Sequence, residues 1–158
     1  MSYIGGLRKV IGNQRIISIS CGAIIENEKE EILLQFRVDT KNYGVPGGNM
    51  ELGESLIETL KREIFEEIGL EIESNQANIF GIYSGNKCTT IYPNGDEVQY
   101  VVFIYHIKIN SNVIFKNDLS EACHLRYFSR NNLPEDIKES DKIWIEKWKK
   151  GNYEVEID

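Results

Sequence analysis

The stretch Gly48-Asn49-Met50-Glu51-Leu52-Gly53-Glu54-Ser55-Leu56-Ile57-Glu58-Thr59-Leu60-Lys61-Arg62-Glu63-Ile64-Phe65-Glu66-Glu67-Ile68-Gly69-Leu70 holds six glutamates against one lysine and one arginine, and so carries −4 of a net charge of −7. Ser55 followed by Glu58 has the form of a capping box, and Gly69 that of the left-handed residue just past a helix C-terminus, so the stretch predicts a helix over about 56–68. At about 100° per residue, Ile57, Leu60, Ile64 and Ile68 fall in one stripe that should face the core. Glu63, Glu66 and Glu67, at i, i+3 and i+4, gather beside that stripe. Like charges at this spacing destabilise a bare helix by about 0.2–0.5 kcal/mol per pair. Only Lys61 and Arg62 stand nearby to offset them, and a bound divalent cation would resolve the conflict. Oxygen ligands without His or Cys suit Mg²⁺ or Mn²⁺ better than Zn²⁺. The competing reading of the helix alone is a solvated acidic face.

The same residues stand in a fixed register: Gly48, five spaces, Glu54, seven spaces, Arg62-Glu63, apolar Ile64, then Glu66-Glu67, Gly69 and apolar Leu70. Every position matches the Nudix signature, and the chain resembles a Nudix hydrolase. Chance would give such a match in a chain this long with a probability below about one in a million at average residue frequencies. The resemblance is tight over 48–70, looser over about 16–150, and implies an α+β fold, the family's αβα sandwich around a mixed β-sheet. It treats 1–158 as a single Nudix hydrolase domain, with 1–15 an N-terminal extension.

The family roles pass to this chain residue by residue. The resemblance makes Glu66 and Glu67 ligands of the catalytic metal, Glu63 a third ligand, and the backbone carbonyl of Gly47 a fourth; simple turn chemistry is the other reading of Gly47. Arg62 should orient a carboxylate, with Glu66 and Glu54 as candidate partners. Arg37, at the end of an expected strand, resembles an arginine that family members use on substrate phosphates, although a solvated strand-end arginine fits as well. Glu121, before Leu125-Arg126-Tyr127-Phe128-Ser129, resembles an acidic residue that serves some members as an additional metal ligand or as general base. Glu97 and Asp96, beyond the Asn94-Gly95 turn, are its rivals, and surface charge is the alternative for all three.

Outward from this segment, Ile16–Ile25 is β-branched and apolar enough for a buried strand, and Glu31–Val38 reads as a second, joined to it by the short polar Asn27-Glu28-Lys29-Glu30. Asp39–Met50, with Gly44, Pro46, Gly47 and Gly48, reads as a constrained loop. Strands are expected at Asn78–Tyr83, Lys87–Tyr92, Val98–Ile109 and His124–Ser129, with a turn at Pro93-Asn94-Gly95-Asp96. Asp136–Lys150 has a helical period, and Leu7–Ile11 could form an amphipathic turn or short helix. His106, on a long apolar strand, reads as a packed core residue, and Trp144 and Trp148 as packing residues.

Length and composition are those of one ordinary globular domain: 158 residues, 41% hydrophobic and 27% charged. Three cysteines, Cys21, Cys88 and Cys123, an odd number without CxxC spacing, read as buried hydrophobes rather than a disulfide framework or zinc site. No apolar run approaches the roughly 18 residues of a membrane span, and the start lacks a secretory signal, so the expected location is cytoplasmic. The acidic balance disfavours binding to duplex nucleic acid. A homodimer enters by family analogy alone.

The resemblance implies Mg²⁺-assisted hydrolysis of a nucleoside diphosphate linked to another group, with a small-molecule nucleotide as substrate. The proline that ADP-ribose hydrolases tend to carry about 16 residues past the box is Asn86 here, and the tyrosine typical of dinucleoside polyphosphate hydrolases is Lys87. Nucleoside triphosphates, ADP-ribose-like sugars and modified nucleotides therefore all stay open. The alternative of a different class is a catalytically weak Nudix-fold nucleotide sensor or protein-binding module, and the complete set of box glutamates favours the enzyme.

Overall fold

The computed structural model describes residues 2–38, 40–113, 115 and 122–158, and of residues 122 and 123 the backbone alone. Helix α1 (Tyr3–Ile11) precedes strands β1 (Ile16–Glu26), β2 (Glu31–Arg37), β3 (Asn42–Gly44) and β4 (Gly47–Asn49). Helix α2 (Leu56–Ile68) follows, then β5 (Asn78–Tyr83), β6 (Thr89–Ile91), β7 (Glu97–Lys108), β8 (Ala122–Ser129), α3 (Lys142–Lys149) and β9 (Glu156–Ile157). The described residues form one nine-stranded sheet whose main path runs β3-β2-β1-β7-β5-β9, with β4, β6 and β8 pairing onto β1, β7 and β2.

The sheet is mixed because β1 and β7 run parallel, in register from Ile16 beside Val98 to Glu26 beside Lys108, while β2, β3, β4, β5, β6 and β8 join antiparallel. Alternation along these strands divides the core in two. Cys21, Ala23 and Ile25 of β1, Leu33 of β2 and Ile107 of β7 pack with Leu60, Ile64 and Ile68 of α2. Ile24, Ile32, Leu34, Val102 and Ile104 turn to the opposite face and pack with Trp144, Ile145 and Trp148 of α3. The sheet thus lies between α2 and α3, as the αβα sandwich requires, and Trp144 and Trp148 are packing residues.

Helix α2 begins and ends as the sequence indicates. Ser55 and Glu58 make the reciprocal capping box, and Gly69 closes the helix with φ 69°. The differences from expectation lie elsewhere. The stretch 39–50 is not wholly loop: β3 pairs with β2 and β4 with β1. These three-residue, glycine-bearing strands have no periodicity of their own and form because longer neighbours offer unpaired ladder positions. Asn86–Cys88 is a 3₁₀ turn before β6, so the strand expected at Lys87–Tyr92 is shorter. The last helix starts only at Lys142, since Ile137 bridges to Tyr43, with backbone bonds from Tyr43 N–H to the Asp136 carbonyl and from Lys138 N–H to the Tyr43 carbonyl. That bridge holds 136–138 extended.

The N-terminal helix is longer than expected, starting at Tyr3 under a Ser2 cap. Arg8 fixes it by donating to the carbonyls of Gly12, Gln14 and Glu97. Cys21 and Cys88 are free and buried, and burial pushes their thiols up to about 12 and about 11; the side chain of Cys123 lies outside the described residues. His106 is buried against Glu26, whose Oε2 accepts from His106 Nε2 (2.7 Å) and Trp148 Nε1 (3.1 Å), so it is a core residue. Among the described residues, no helix is long and apolar enough to cross a membrane.

Candidate active site

Adjacent glutamates on α2 meet opposite surroundings. Glu66 keeps 57% of its side chain exposed, whereas Glu67, on the same side of the helix as Leu60 and Ile64, keeps 7%. Glu67 Oε2 accepts two hydrogen bonds, from the Gly47 N–H (2.7 Å) and from Gln35 Nε2 (2.9 Å). Its Oε1 lies 3.7 Å from Arg37 Nη1. Burial pushes the Glu67 carboxyl up to about 7, against the pull of Gly47, Arg37 and Gln35 toward the charged form.

Arg62 gathers the remaining carboxylates. It donates to Glu54 through Nε (2.5 Å) and Nη2 (2.9 Å), and through Nη1 to Glu63 (2.7 Å) and Glu66 (3.2 Å). Nη2 also reaches the Asn49 carbonyl at 2.9 Å, tying the helix to β4. Arg62 therefore orients Glu54, Glu63 and Glu66 together. Its side-chain hydrogen bonds hold the Glu54 carboxyl down at about 2. Lys61 contributes less, standing 4.0 Å from the exposed Glu73.

The loop before α2 sets the other wall. Strand β4 runs antiparallel to β1, with Gly47 beside Gly22 and Gly48 beside Cys21. Gly47 has φ 151°, and a Cβ there would lie 2.2 Å from the Cys21 carbonyl oxygen, so only glycine lets this backbone come so close to β1. A Cβ on Gly48 would lie 2.4 Å from the Glu63 carboxyl carbon. Two glycines thus make the space in which the carboxylates of α2 approach the strand.

Arg37, Gly47, Gly48, Arg62, Glu63, Glu66 and Glu67 line one cleft, with Glu51 and, from the N-terminal segment, Ser2 and Ile4 at its rim. The Tyr3 N–H donates to Glu51 Oε2 at 2.7 Å. Through Arg37, Gly47, Gly48 and Asn49 the cleft shares a wall with a second pocket on the α3 side of the sheet. That pocket has apolar and aromatic sides from Val45, Tyr92, Tyr100, Val102 and Trp144, with the buried Asp141 among its polar groups. Asp141 Oδ2 accepts from the Val45 N–H (3.0 Å), and the hydroxyls of Tyr92 and Tyr100 are 2.7 Å apart.

The structure brings Arg37, Gly47, Arg62, Glu63, Glu66 and Glu67 to one cleft. Glu97 and Asp96 are elsewhere, Glu97 paired with Arg15 and Asp96 3.5 Å from Arg8, and neither lines it. Glu121 lies outside the described residues. The sequence reading missed Gln35, Asn49 and Asp141. A polar residue inside the run Ile32-Leu33-Leu34-Gln35-Phe36 was the one available signal for Gln35; Asn49 acts through its backbone and Asp141 through a distant loop, and neither leaves a local pattern.

The donor set suits a hard divalent cation, being carboxylate and carbonyl oxygen without imidazole or thiolate. Among the described residues no three acidic, histidine or cysteine side chains are already grouped to hold a metal ion: Glu63 and Glu66 turn to Arg62, and Glu67 to Gly47 and Gln35. Two features nevertheless fit a cation in the cleft. Four carboxylates, Glu51, Glu63, Glu66 and Glu67, share it, and the absent side chain at Gly48 leaves room for that of Glu63.

A family model described as NUDIX domain matches residues 18–148. The chain is 29% identical over 140 residues to an ADP-ribose pyrophosphatase of Methanocaldococcus jannaschii, spanning 85% of this chain and 76% of that one. It is 25% identical over 133 residues to an RNA pyrophosphohydrolase of Ruthia magnifica subsp. Calyptogena magnifica, spanning 81% and 67%. Its fold is similar to the crystal structure of a MutT NUDIX hydrolase from Burkholderia pseudomallei, with TM-score 0.68, 24% identity and coverage of 83% and 97%.

Proposed function

The chain belongs to the NUDIX family and is a hydrolase of nucleotide pyrophosphate bonds, and we propose that it cleaves a nucleoside diphosphate linked to a further group with Mg²⁺, or Mn²⁺ in its place, held in the α2 cleft. The observation that carries this reading is the gathering of Glu63, Glu66, Glu67 and Arg37 in one cleft that shares a wall with an aromatic pocket.

Glu63, Glu66, Glu67 and the Gly47 carbonyl would hold the cation. When bound, a divalent cation there supplies charge neutralisation on the diphosphate and a lowered pKa for coordinated water. Arg62 keeps Glu63 and Glu66 on the cleft side of α2, and the Glu54 fork fixes Arg62 in turn. Arg37, which borders both cleft and pocket, would meet a phosphate oxygen. The flat walls offered by Tyr92, Tyr100 and Trp144 suit a ring-bearing group such as a nucleobase. Water attack on a diphosphate phosphorus would then give a nucleoside monophosphate and a phosphorylated remainder, with a carboxylate, Glu121 or one of the α2 glutamates, taking the proton.

The relatives carry names with different substrates, ADP-ribose and RNA, so the linked group is a matter for measurement. The test is incubation of the protein with nucleoside triphosphates, ADP-ribose and an oxidised guanine triphosphate in Mg²⁺, with the products identified. A nucleoside monophosphate and the complementary phosphorylated product are expected from at least one of them. Intact nucleotides throughout, in Mg²⁺ and in Mn²⁺, would overturn the reading.

A further inference from the structure

Gln35 is fully buried in β2. Its strand neighbours across the ladder are Gly44 of β3 and Leu125 of β8, and along the chain Leu34 and Phe36, none of which offers a polar side chain. Alternation turns Gln35 to the same face as Leu33, which packs against α2. An unbranched apolar residue would fill that position without an unsatisfied atom. Gln35 instead leaves its Oε1 buried with no hydrogen-bond partner, a cost that an apolar residue would not carry. What its side chain does make is the 2.9 Å bond from Nε2 to Glu67 Oε2.

That bond falls on the oxygen already held by the Gly47 N–H, so both donors act on Oε2, and Oε1 is the oxygen beside Arg37 at the cleft. A carboxylate fixed by two donors on one oxygen presents the other in a single orientation. An amide does this without adding a positive charge that would compete with a cation, as a lysine or arginine at the same place would. We propose that Gln35 is a positioning residue for the metal-binding carboxylate of Glu67, pinning Oε2 so that Oε1 is aimed into the cleft. The inference rests on the metal-binding reading of Glu67 given above, and it assigns to a β2 residue outside the glutamate-rich segment a share in cation affinity.

The test is Mn²⁺ binding to the full chain without nucleotide, followed by electron paramagnetic resonance of the free ion, together with thermal melting in the absence of metal. Gln35→Met keeps length and volume and removes the donor. Affinity for Mn²⁺ is expected to fall about 10- to 100-fold, as for other groups that orient a metal ligand, while the metal-free melting temperature holds or rises. In a Glu67→Gln background the same substitution should bring no further loss, because the two residues act as one unit. Gln35→Leu, which also lacks a donor, repeats the comparison should Gln35→Met not fold. Mn²⁺ affinity within about twofold of the unaltered chain would overturn the proposal, as would an equal loss in the Glu67→Gln background. Failure of the unaltered chain to bind Mn²⁺ would overturn it together with the metal reading. Mn²⁺ binding without hydrolysis of any nucleotide would count against the catalytic reading alone.

Discussion

Arg62 and Glu54, eight residues apart, form a two-pronged ion pair, with Nε to Oε1 at 2.5 Å and Nη2 to Oε2 at 2.9 Å. The pair closes the loop 50–55 onto the middle of α2 and leaves Nη1 for Glu63 and Glu66. A planar guanidinium can serve three carboxylates at once because its donors point in fixed, separate directions. The order of the acidic face of α2 therefore depends on a carboxylate that does not itself line the cleft.

The stability that this pair contributes should depend on pH in a definite direction. The folded Glu54 carboxyl is held at about 2, below its ordinary 4.5, chiefly by the hydrogen bonds from Arg62. A depressed carboxyl pKa stabilises the fold fully above the ordinary value, and the contribution fades as pH falls from about 4.5 toward about 2. Melting curves of the unaltered chain and Glu54→Gln should differ most at neutral pH and converge as pH drops below about 4.5. A gap that widens on acidification would contradict the assignment.

Hydrolysis should require a divalent cation and both adjacent glutamates. Glu66→Gln or Glu67→Gln replaces a charged oxygen ligand by a neutral one, and each should lower kcat by about a hundredfold or more, roughly 3 kcal/mol. EDTA should abolish turnover, and Mg²⁺ or Mn²⁺ should restore it. Steady-state rates in EDTA equal to those in Mg²⁺ would rule out the metal role.

The two glycines of β4 should fail in different ways. Gly48→Ala places a methyl group against the carboxylate of Glu63, the movable end of a side chain, so turnover should fall about tenfold or more with little change in melting temperature. Gly47→Ala meets the backbone of Cys21 and needs a φ that non-glycine residues rarely adopt, so it should cost about 1–3 kcal/mol of stability, read from urea unfolding. Equal effects of the two on melting temperature would contradict this division.

Glu121 and Glu97 provide a further contrast. Glu97 is paired with Arg15 away from the cleft, so Glu97→Gln should leave kcat unchanged. Glu121→Gln should lower kcat about a hundredfold if that carboxylate accepts the proton from water or completes the cation's ligands, with the melting temperature nearly constant. A normal Glu121→Gln enzyme beside a crippled Glu97→Gln would move the role to the 94–97 turn.

Much of the scaffold was legible because it is written in local chemistry. The capping box at Ser55 and Glu58, the terminal Gly69 and the Leu60-Ile64-Ile68 stripe gave α2 its limits and its buried side, and long apolar runs rich in β-branched residues marked β1, β2 and β7. Strands β3 and β4 were not legible. Three residues rich in glycine carry no period, and they pair only because β2 and β1 are already in place.

By itself the sequence determined the helix, the convergence of Glu63, Glu66 and Glu67 on one side of it, and the residue types fit to hold an oxygen-loving cation, since all of these follow from spacing along one helix. Only the tertiary structure decided that Glu67 is buried while Glu66 is exposed, that Gln35 and Gly47 share one oxygen of Glu67, and that Arg62 serves three carboxylates. The reason is physical. The exposure of a carboxylate and the donors that meet it are set by elements far away in the chain, here β2 and β4 packed against α2, and no pattern within the helix records where those strands will lie.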